Sequence, residues 1–360
     1  MKDCFSLDFA RDRNDNEISY NWDCMLQVGI VGLANVGKST LFNALLKKQQ
    51  ALVANYPFAT IEPNVGIVPV PDDRLNKLAA FFNNPPIVPA TVKFVDIAGL
   101  VKGASQGAGL GNKFLANIRE VDLICHVVRA FEDENIIREG SIDPKSDKEV
   151  VETELILADM QTVEKVLNDR KLEPIKKSAL EKLKKDMDEG KLAKDVSLSD
   201  EELESVQELQ LLTFKPVIYV YNGGIDDNDG VNIDAKLEAE LSILSPEEQK
   251  EYLESLGINE SGLDRLIKAT YQKLGLISFL TAGDKEVRAW TIKVGTKAPA
   301  AAGVIHTDFE KNFIKAEVIS YEDYLMCNGE KKARELGKLR LEGREYVVND
   351  GDVIEFKVGV

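Results

Sequence analysis

Apolar and polar positions along this chain change rhythm several times, and each change predicts a different kind of element. Residues 26–31 read as a buried strand, and a glycine-rich turn then gives way to 39–46, where Leu41, Leu45 and Leu46 recur at helical spacing. Three further apolar runs read as strands of the same buried kind: TVKFVD ending at Asp96, DLICHVVRAF over 122–131, and KPVIYVYN ending at Asn222. From about Ser146 to Phe214 glycine nearly vanishes, and Val151, Leu155, Ala158, Thr162 and Val166 recur at steps of three and four. Leu180, Leu183 and Met187 make a second run, and Ser199 with Glu202 makes a capping box for a last helix. From Leu276 onward the pattern alternates instead. EVRAWTIKVG, FIKAEVIS and REYVVNDGDVIEFKV read as strands, the last folded in two at Asp350-Gly351, with a helix over 329–341 between them.

These rhythms predict an α/β protein in parts. Residues 25–145 and 215–275 form one domain, 146–214 a helical, coiled-coil-like arm inserted into it, and 276–360 a small α+β module. The first 24 residues are polar and mixed in charge, lack the apolar core of a secretory signal, and read as a poorly ordered extension.

Composition narrows the function. A chain of 360 residues with 44% hydrophobic and 29% charged positions has enough material for two or three globular cores. No apolar run reaches the roughly 20 residues that cross a bilayer, so no membrane partner is expected. Four scattered cysteines without a CxxC pair, and only two histidines, argue against a zinc site and for free thiols in a reducing, cytoplasmic setting. A net charge of −16 disfavours DNA or RNA binding by the surface as a whole. One local exception stands out. Lys331, Lys332, Arg334, Lys338, Arg340 and Arg344 cluster against Glu335 and Glu342, which is either a solvated helix face or an RNA-facing patch.

The chemistry lies in the first turn. Gly32, Gly37, Lys38 and Ser39 fit the phosphate-binding spacing GxxxxGKS/T between a strand and a helix. Glycine lets the backbone wrap closely, so N–H groups of Asn35, Val36, Gly37, Lys38, Ser39 and Thr40 can face phosphate oxygens at a positive helix N-terminus. Lys38 would neutralise the outer phosphates, and the Ser39 hydroxyl would ligate Mg²⁺. Asp96 and Gly99 make a DxxG step at a strand end, placing a carboxylate for the metal shell and an N–H for the terminal phosphate. Thr60 is a candidate second hydroxyl ligand to Mg²⁺. The loop after Asp96 is rich in glycine and reads as a segment that changes shape with nucleotide state. His126, inside an apolar strand, reads as a core histidine and not a base.

At this level of detail the chain resembles the Obg-like ATPases, or YchF proteins. The motifs are GIVGLANVGKSTLFNAL, NYPFATIEPNVG, FVDIAGLVKGASQGAGLGNKFLANIRE, KEVRAWTI, AAGVIHTDFEKNFIKAEVIS and VNDGDVIEF, in that order over 25–360. The resemblance implies a Ras-like nucleotide domain, a helical arm and a C-terminal TGS domain of β-grasp fold. It also implies slow ATP hydrolysis, a weaker response to GTP, and a ribosomal partner, RNA or protein. Carried over, the metal ligands are Ser39, Thr60 and Asp96, and Lys38 and Gly99 attend the γ-phosphate. P-loop proteins with an asparagine at the place of Asn35 bind K⁺ there, so K⁺ is an implied second cation.

Base choice follows from what is missing. A guanine site needs NKxD, whose Asp grips two guanine N–H donors, but Gly223 and Ile225 stand at the Lys and Asp positions here. Losing that charge-assisted pair costs guanine about 1.5–3 kcal/mol. In relatives the Asn side chain and the next backbone read adenine, which assigns Asn222 and Gly223 to the base. Ile225 departs from the relatives' Glu as well, and the loop to Asp234-Ala235-Lys236 is short. Leu100 replaces the Ras-type glutamine that orients water, and Arg138 replaces a histidine of the relatives, so hydrolysis is expected to be slow. Three readings stay open at this point: an ATP-driven switch on ribosomes, a GTPase of the Obg class, and a nucleotide-ordered binding module with negligible hydrolysis.

Overall fold

A computed structural model describes residues 26–53, 64–97, 110–131, 143–169, 171–223 and 230–359. The predictions placed on the 1–24 extension and on Thr60, Gly99, Leu100, Arg138 and Ile225 lie outside the described residues.

Along the chain the first elements are β1 (Gln27–Val31), α1 (Lys38–Val53), β2 (Val65–Pro69), α2 (Asp73–Ala79), β3 (Ile87–Val88) and β4 (Thr91–Asp96). Then come α3 (Leu110–Glu120), β5 (Leu123–Arg129), and the helices α4 (Pro144–Leu167), α5 (Pro174–Asp188) and α6 (Asp200–Val206). They are followed by β6 (Val217–Asn222), β7 (Gly230–Ile233), α7 (Ala235–Leu241), α8 (Pro246–Ser255) and α9 (Gly262–Lys273). The last stretch holds β8 (Leu276–Ala282), β9 (Val287–Lys293), α10 (Ala298–Ile305), α11 (Thr307–Lys311) and β10 (Phe313–Ser320). It closes with α12 (Tyr321–Met326), α13 (Glu330–Glu335), β11 (Arg340–Glu342) and β12 (Asp352–Val358).

The described chain divides into two compact units, Gln27–Val68 with Lys93–Thr270, and Pro69–Val92 with Tyr271–Val360. The first holds a sheet in the order β2-β4-β1-β5-β6-β7. The pairs β4–β1, β1–β5, β5–β6 and β6–β7 are all parallel. Parallel strands are covered on both faces, which is why all seven residues of β5 are buried and why the sequence shows runs and not alternation. The strand ends therefore aim the same way, and β1, β4, β5 and β6 deliver their C-terminal residues to one edge of the sheet.

Between β5 and β6 the helices α4, α5 and α6 bury Ile156, Val163, Leu180, Leu183, Met187 and Val206 around a core of their own. The capping box forms as predicted: the Glu202 N–H donates to Ser199 Oγ at 3.2 Å, and the Ser199 N–H to Glu202 Oε2 at 3.0 Å. Buried Asp159 ties the arm's end back to α4, accepting from the Leu212 and Thr213 N–H groups at 2.8 Å each.

The second unit carries a mixed sheet in the order β11-β10-β12-β8-β9-β3. Neighbours β8–β9, β10–β12 and β10–β11 are antiparallel, while β12–β8 and β3–β9 are parallel. Leaving β3 aside, this is the strand order of a β-grasp sheet, with α10 laid on a core of Phe279, Ile292, Phe313 and Val318.

Three sequence expectations are corrected here. Residues 69–92, read as part of a continuous 25–145 stretch, group with the C-terminal unit. The alternation over 344–358 forms one strand, β12, and not a hairpin. Its first half packs Val348 and Tyr346 on the core and makes a single bridge from Val347 to Lys297. The helix expected over 329–341 ends at Glu335, because the αL residue Gly337 (φ +70°) stops it, and β11 follows.

Candidate nucleotide-binding site

The loop between β1 and α1 closes with Asn35 in the left-handed region (φ 59°) and Gly37 at φ 100°. α1 then starts, with the Leu41 N–H donating to the Gly37 carbonyl at 2.9 Å. The N–H groups of a first helical turn have no partner inside the helix, so those of Lys38, Ser39 and Thr40 remain for an anion. The side chains of Ser39 and Thr40 are exposed, and that of Val36 is buried.

Lys38 is 9% exposed, and its Nζ donates to the Leu33 carbonyl at 2.5 Å. Burial pushes its ammonium below the ordinary lysine range, and the attraction of Asp96 opposes that. Asp96, at the end of β4, mirrors it: burial raises its carboxyl, and Lys38 opposes the rise. Desolvation wins on both partners, so the pair is under-compensated on its own. A hydroxyl on Ser39 and a half-buried carboxylate on Asp96 are hard oxygen donors of the kind Mg²⁺ takes, and a divalent cation would relieve the carboxylate's deficit. The residues present fit that ion.

Asn222 supports the loop from behind. Its side chain is buried, with Nδ2 donating to the Val36 carbonyl and Oδ1 accepting the Ala235 N–H, both at 3.0 Å. It is a strut joining the phosphate loop to the start of α7. Gly37 is the other half of that fit, since a Cβ there would lie 2.2 Å from Asn222 Nδ2. The signal was available in Ala235, whose neighbour Asp234 caps α7 through the N–H groups of Lys236 and Leu237.

Gly223 is fixed just as tightly. Its N–H donates to the Ile233 carbonyl at 2.9 Å, its φ is +113°, and a Cβ would meet Phe131 Cβ at 2.7 Å and the Ala130 carbonyl carbon at 2.8 Å. The position where a guanine clamp needs lysine has no room for any side chain. His126 is buried beside Tyr219, with ring centroids 5.6 Å apart, and burial first, then Lys148 and Lys38, pull it down to about 3. It stays neutral and belongs to the core.

The basic cluster of the C-terminal unit is largely paired within that unit. Arg334 bridges Glu317 (2.8 Å) and Glu330 (2.9 Å), Lys338 meets Asp323 at 3.0 Å, and Arg340 meets Asp352 at 3.3 Å. Arg344 donates to the Phe313 carbonyl at 3.1 Å. Of the six, Lys331 and Lys332 stay exposed without a described partner. Of the two readings of this cluster, ion pairing within the unit accounts for Arg334, Lys338 and Arg340, and Lys331 and Lys332 remain as its unpaired exposed cations among the described residues.

Comparison with known proteins adds the rest. Residues 27–185 match a family described as "50S ribosome-binding GTPase", and 276–359 match the YchF GTPase C-terminal family, described as a protein of unknown function. The chain is 52% identical to a Bacillus subtilis protein named "Ribosome-binding ATPase YchF", over 93% of this chain and 100% of that one. A Haemophilus influenzae protein of the same name is 49% identical over 92% and 99%. The solved structure of the Schizosaccharomyces pombe YchF GTPase superposes with a TM-score of 0.81 at 38% identity, covering 92% of this chain and 97% of that one.

Proposed function

The chain belongs to the YchF family, and from that premise we propose that it binds ATP at the Lys38 loop, hydrolyses it slowly with Mg²⁺, and associates with ribosomes. The observation that carries the choice of base is Gly223. Its backbone is pressed against Ala130 and Phe131, so no side chain can stack there as the lysine of a guanine site does. Guanine thereby loses its clamp, and adenine, whose recognition does not need that lysine, is not penalised by its absence.

Lys38, the Ser39 and Thr40 N–H groups and Gly37 bind the phosphates; Asn222 holds the Val36–Gly37 turn in register from behind. Ser39 and Asp96 would hold Mg²⁺, with Thr60 as the further hydroxyl, and the ion would supply charge neutralisation of the β- and γ-oxygens. Gly99 would donate its N–H to the γ-phosphate. Leu100 cannot orient water, which keeps hydrolysis slow. Asn35 is the place for K⁺, so turnover in K⁺ buffer should exceed that in Na⁺ buffer.

The ribosomal partner is supported by the names of the relatives, and Lys331 and Lys332, exposed on the C-terminal unit without a described partner, are offered as contacts toward it. The setting is cytoplasmic by the same reading, and no described helix is long and apolar enough to cross a membrane. The name of the solved relative keeps a GTPase reading in view. Competition between labelled ATP and unlabelled GTP decides between them: GTP displacing ATP at equal concentration would overturn the proposal.

A further inference from the structure

Residues 69–92 leave the nucleotide-binding unit between β2 and β4 and fold as part of the C-terminal unit. Both ends of this excursion matter. β4 finishes at Asp96, the residue coupled to Lys38, and β2 lies beside β4 in the same sheet. The stem of the excursion is closed by the Val70 N–H donating to the Ala90 carbonyl at 2.7 Å. A shift of either strand therefore enters the excursion at its base.

Beyond the stem the segment is built into the C-terminal unit at three places. β3 extends the sheet, with Ile87 opposite Val287 and Val88 opposite Arg288, and the Val287 N–H donates to the Pro86 carbonyl at 3.0 Å. α2 buries Leu75, Leu78 and Ala79. Arg74 is the polar lock. Its guanidinium meets Asp72 at 2.8 Å and Asp350 at 2.7 Å, and Asp350 also accepts the Ser278 N–H at 2.9 Å. One side chain thus joins α2 to the turn before β12 and to the backbone of β8. Phe81 adds an edge-on contact to Tyr324, with centroids 5.5 Å apart.

We propose that this excursion is a strap through which nucleotide occupancy at the Lys38–Asp96 site changes the stability of the C-terminal unit, with Arg74 as its locking residue. The proposal rests on the nucleotide-binding reading above and adds a direction to it: the β-grasp unit is a readout of the phosphate site. Covalent continuity through both strands carries the argument. A displacement at Asp96 that reaches the stem must either move the locked segment or strain the Arg74–Asp350 lock. Occupancy and opening of the C-terminal unit are then linked, and linkage is reciprocal.

Amide hydrogen exchange on the full chain tests this, with and without saturating non-hydrolysable ATP or GTP analogue in Mg²⁺ buffer. Binding is measured separately by calorimetry. In the wild type, peptides covering 276–293 and 352–358 should change their exchange rate by about 5-fold or more on binding, the lower end of ordinary coupling between sites. In Arg74→Ala that change should fall below about 2-fold, with analogue affinity kept. Should Arg74→Ala fail to fold, Asp350→Asn, which weakens the same lock, replaces it. Analogue binding by the wild type with no change in those peptides overturns the strap. So does a full response in the folded lock variant. Failure of the wild type to bind either analogue in calorimetry is a different result, and it removes the nucleotide reading together with the strap that rests on it.

Discussion

Asn222→Ala is the substitution whose effect follows most directly from the geometry. It removes two hydrogen bonds in a buried place, leaving the Ala235 N–H and the Val36 carbonyl without their partners. Each unsatisfied buried group costs about 1–3 kcal/mol, so the variant should lose roughly 2–6 kcal/mol of unfolding free energy. That is a large share of the 5–15 kcal/mol, roughly, that ordinary domains possess. Binding should suffer as well, because the strut holds the Val36–Gly37 turn in its phosphate-binding shape. A cost of only ~1.4 kcal/mol in re-forming that turn weakens affinity tenfold. The partition distinguishes a strut from a base reader: a strut weakens ATP and GTP by the same factor, whereas a base reader changes their ratio. Asn222→Asp should bind less well than Asn222→Ala, since it sets a carboxylate oxygen against the Val36 carbonyl near the bound phosphates. Urea unfolding and calorimetric titration of both variants measure these quantities. The reasoning fails if Asn222→Ala binds ATP within twofold of wild type and unfolds within about 0.5 kcal/mol of it.

The other predictions are narrower. Gly223→Lys, the obvious route to a guanine clamp, should destabilise the protein by more than ~2 kcal/mol without creating GTP preference, because the left-handed backbone and the Phe131 contact both oppose a side chain; urea unfolding and GTP titration check it. The Glu202 carboxyl is held down to about 2 by Lys182, the Ser199 N–H and Ser178. It binds its proton more weakly folded than unfolded, so its contribution is present above its ordinary value of 4.5 and is lost as pH falls toward 2. Glu202→Gln should flatten that acid step in circular-dichroism melts. Reversing charge at Lys331 and Lys332 should weaken co-sedimentation with ribosomes and lower the salt slope by about 0.7–0.9 per lost phosphate contact, leaving ATP binding intact; an unchanged salt series would make them solvated residues.

Much of this was written in local pattern. The phosphate loop, the apolar strands around it and the Ser199–Glu202 box depend on residues within a few positions of one another, and they stand where the sequence placed them. What the sequence hid is non-local. β3 is two residues long and is made a strand by Val287 and Arg288, which lie 200 positions away, so no periodicity could reveal that 69–92 belongs with the C-terminal unit. The alternation in REYVV satisfied a strand pattern, yet Val348 is buried and Tyr346 half-buried with no more than a single bridge at Val347, because alternation records which face is buried and not who pairs. The pairing of the basic cluster was hidden for a related reason. Glu317 and Asp352, which neutralise Arg334 and Arg340, are 17 and 12 residues distant and sit on neighbouring strands. At the site, Asn222 was assigned to the base by resemblance to relatives. Only the folded loop shows that both ends of its amide also hydrogen-bond backbone groups.

The central claim is that the Lys38 loop holds ATP in preference to GTP. Calorimetric titration of the full chain with each nucleotide in Mg²⁺ buffer tests it, with Lys38→Ala as the control. The account predicts saturable ATP binding, GTP binding weaker by the roughly tenfold or more that a missing charge-assisted pair implies, and loss of both in Lys38→Ala. Tighter binding of GTP than ATP, or unchanged ATP affinity in Lys38→Ala, would contradict it.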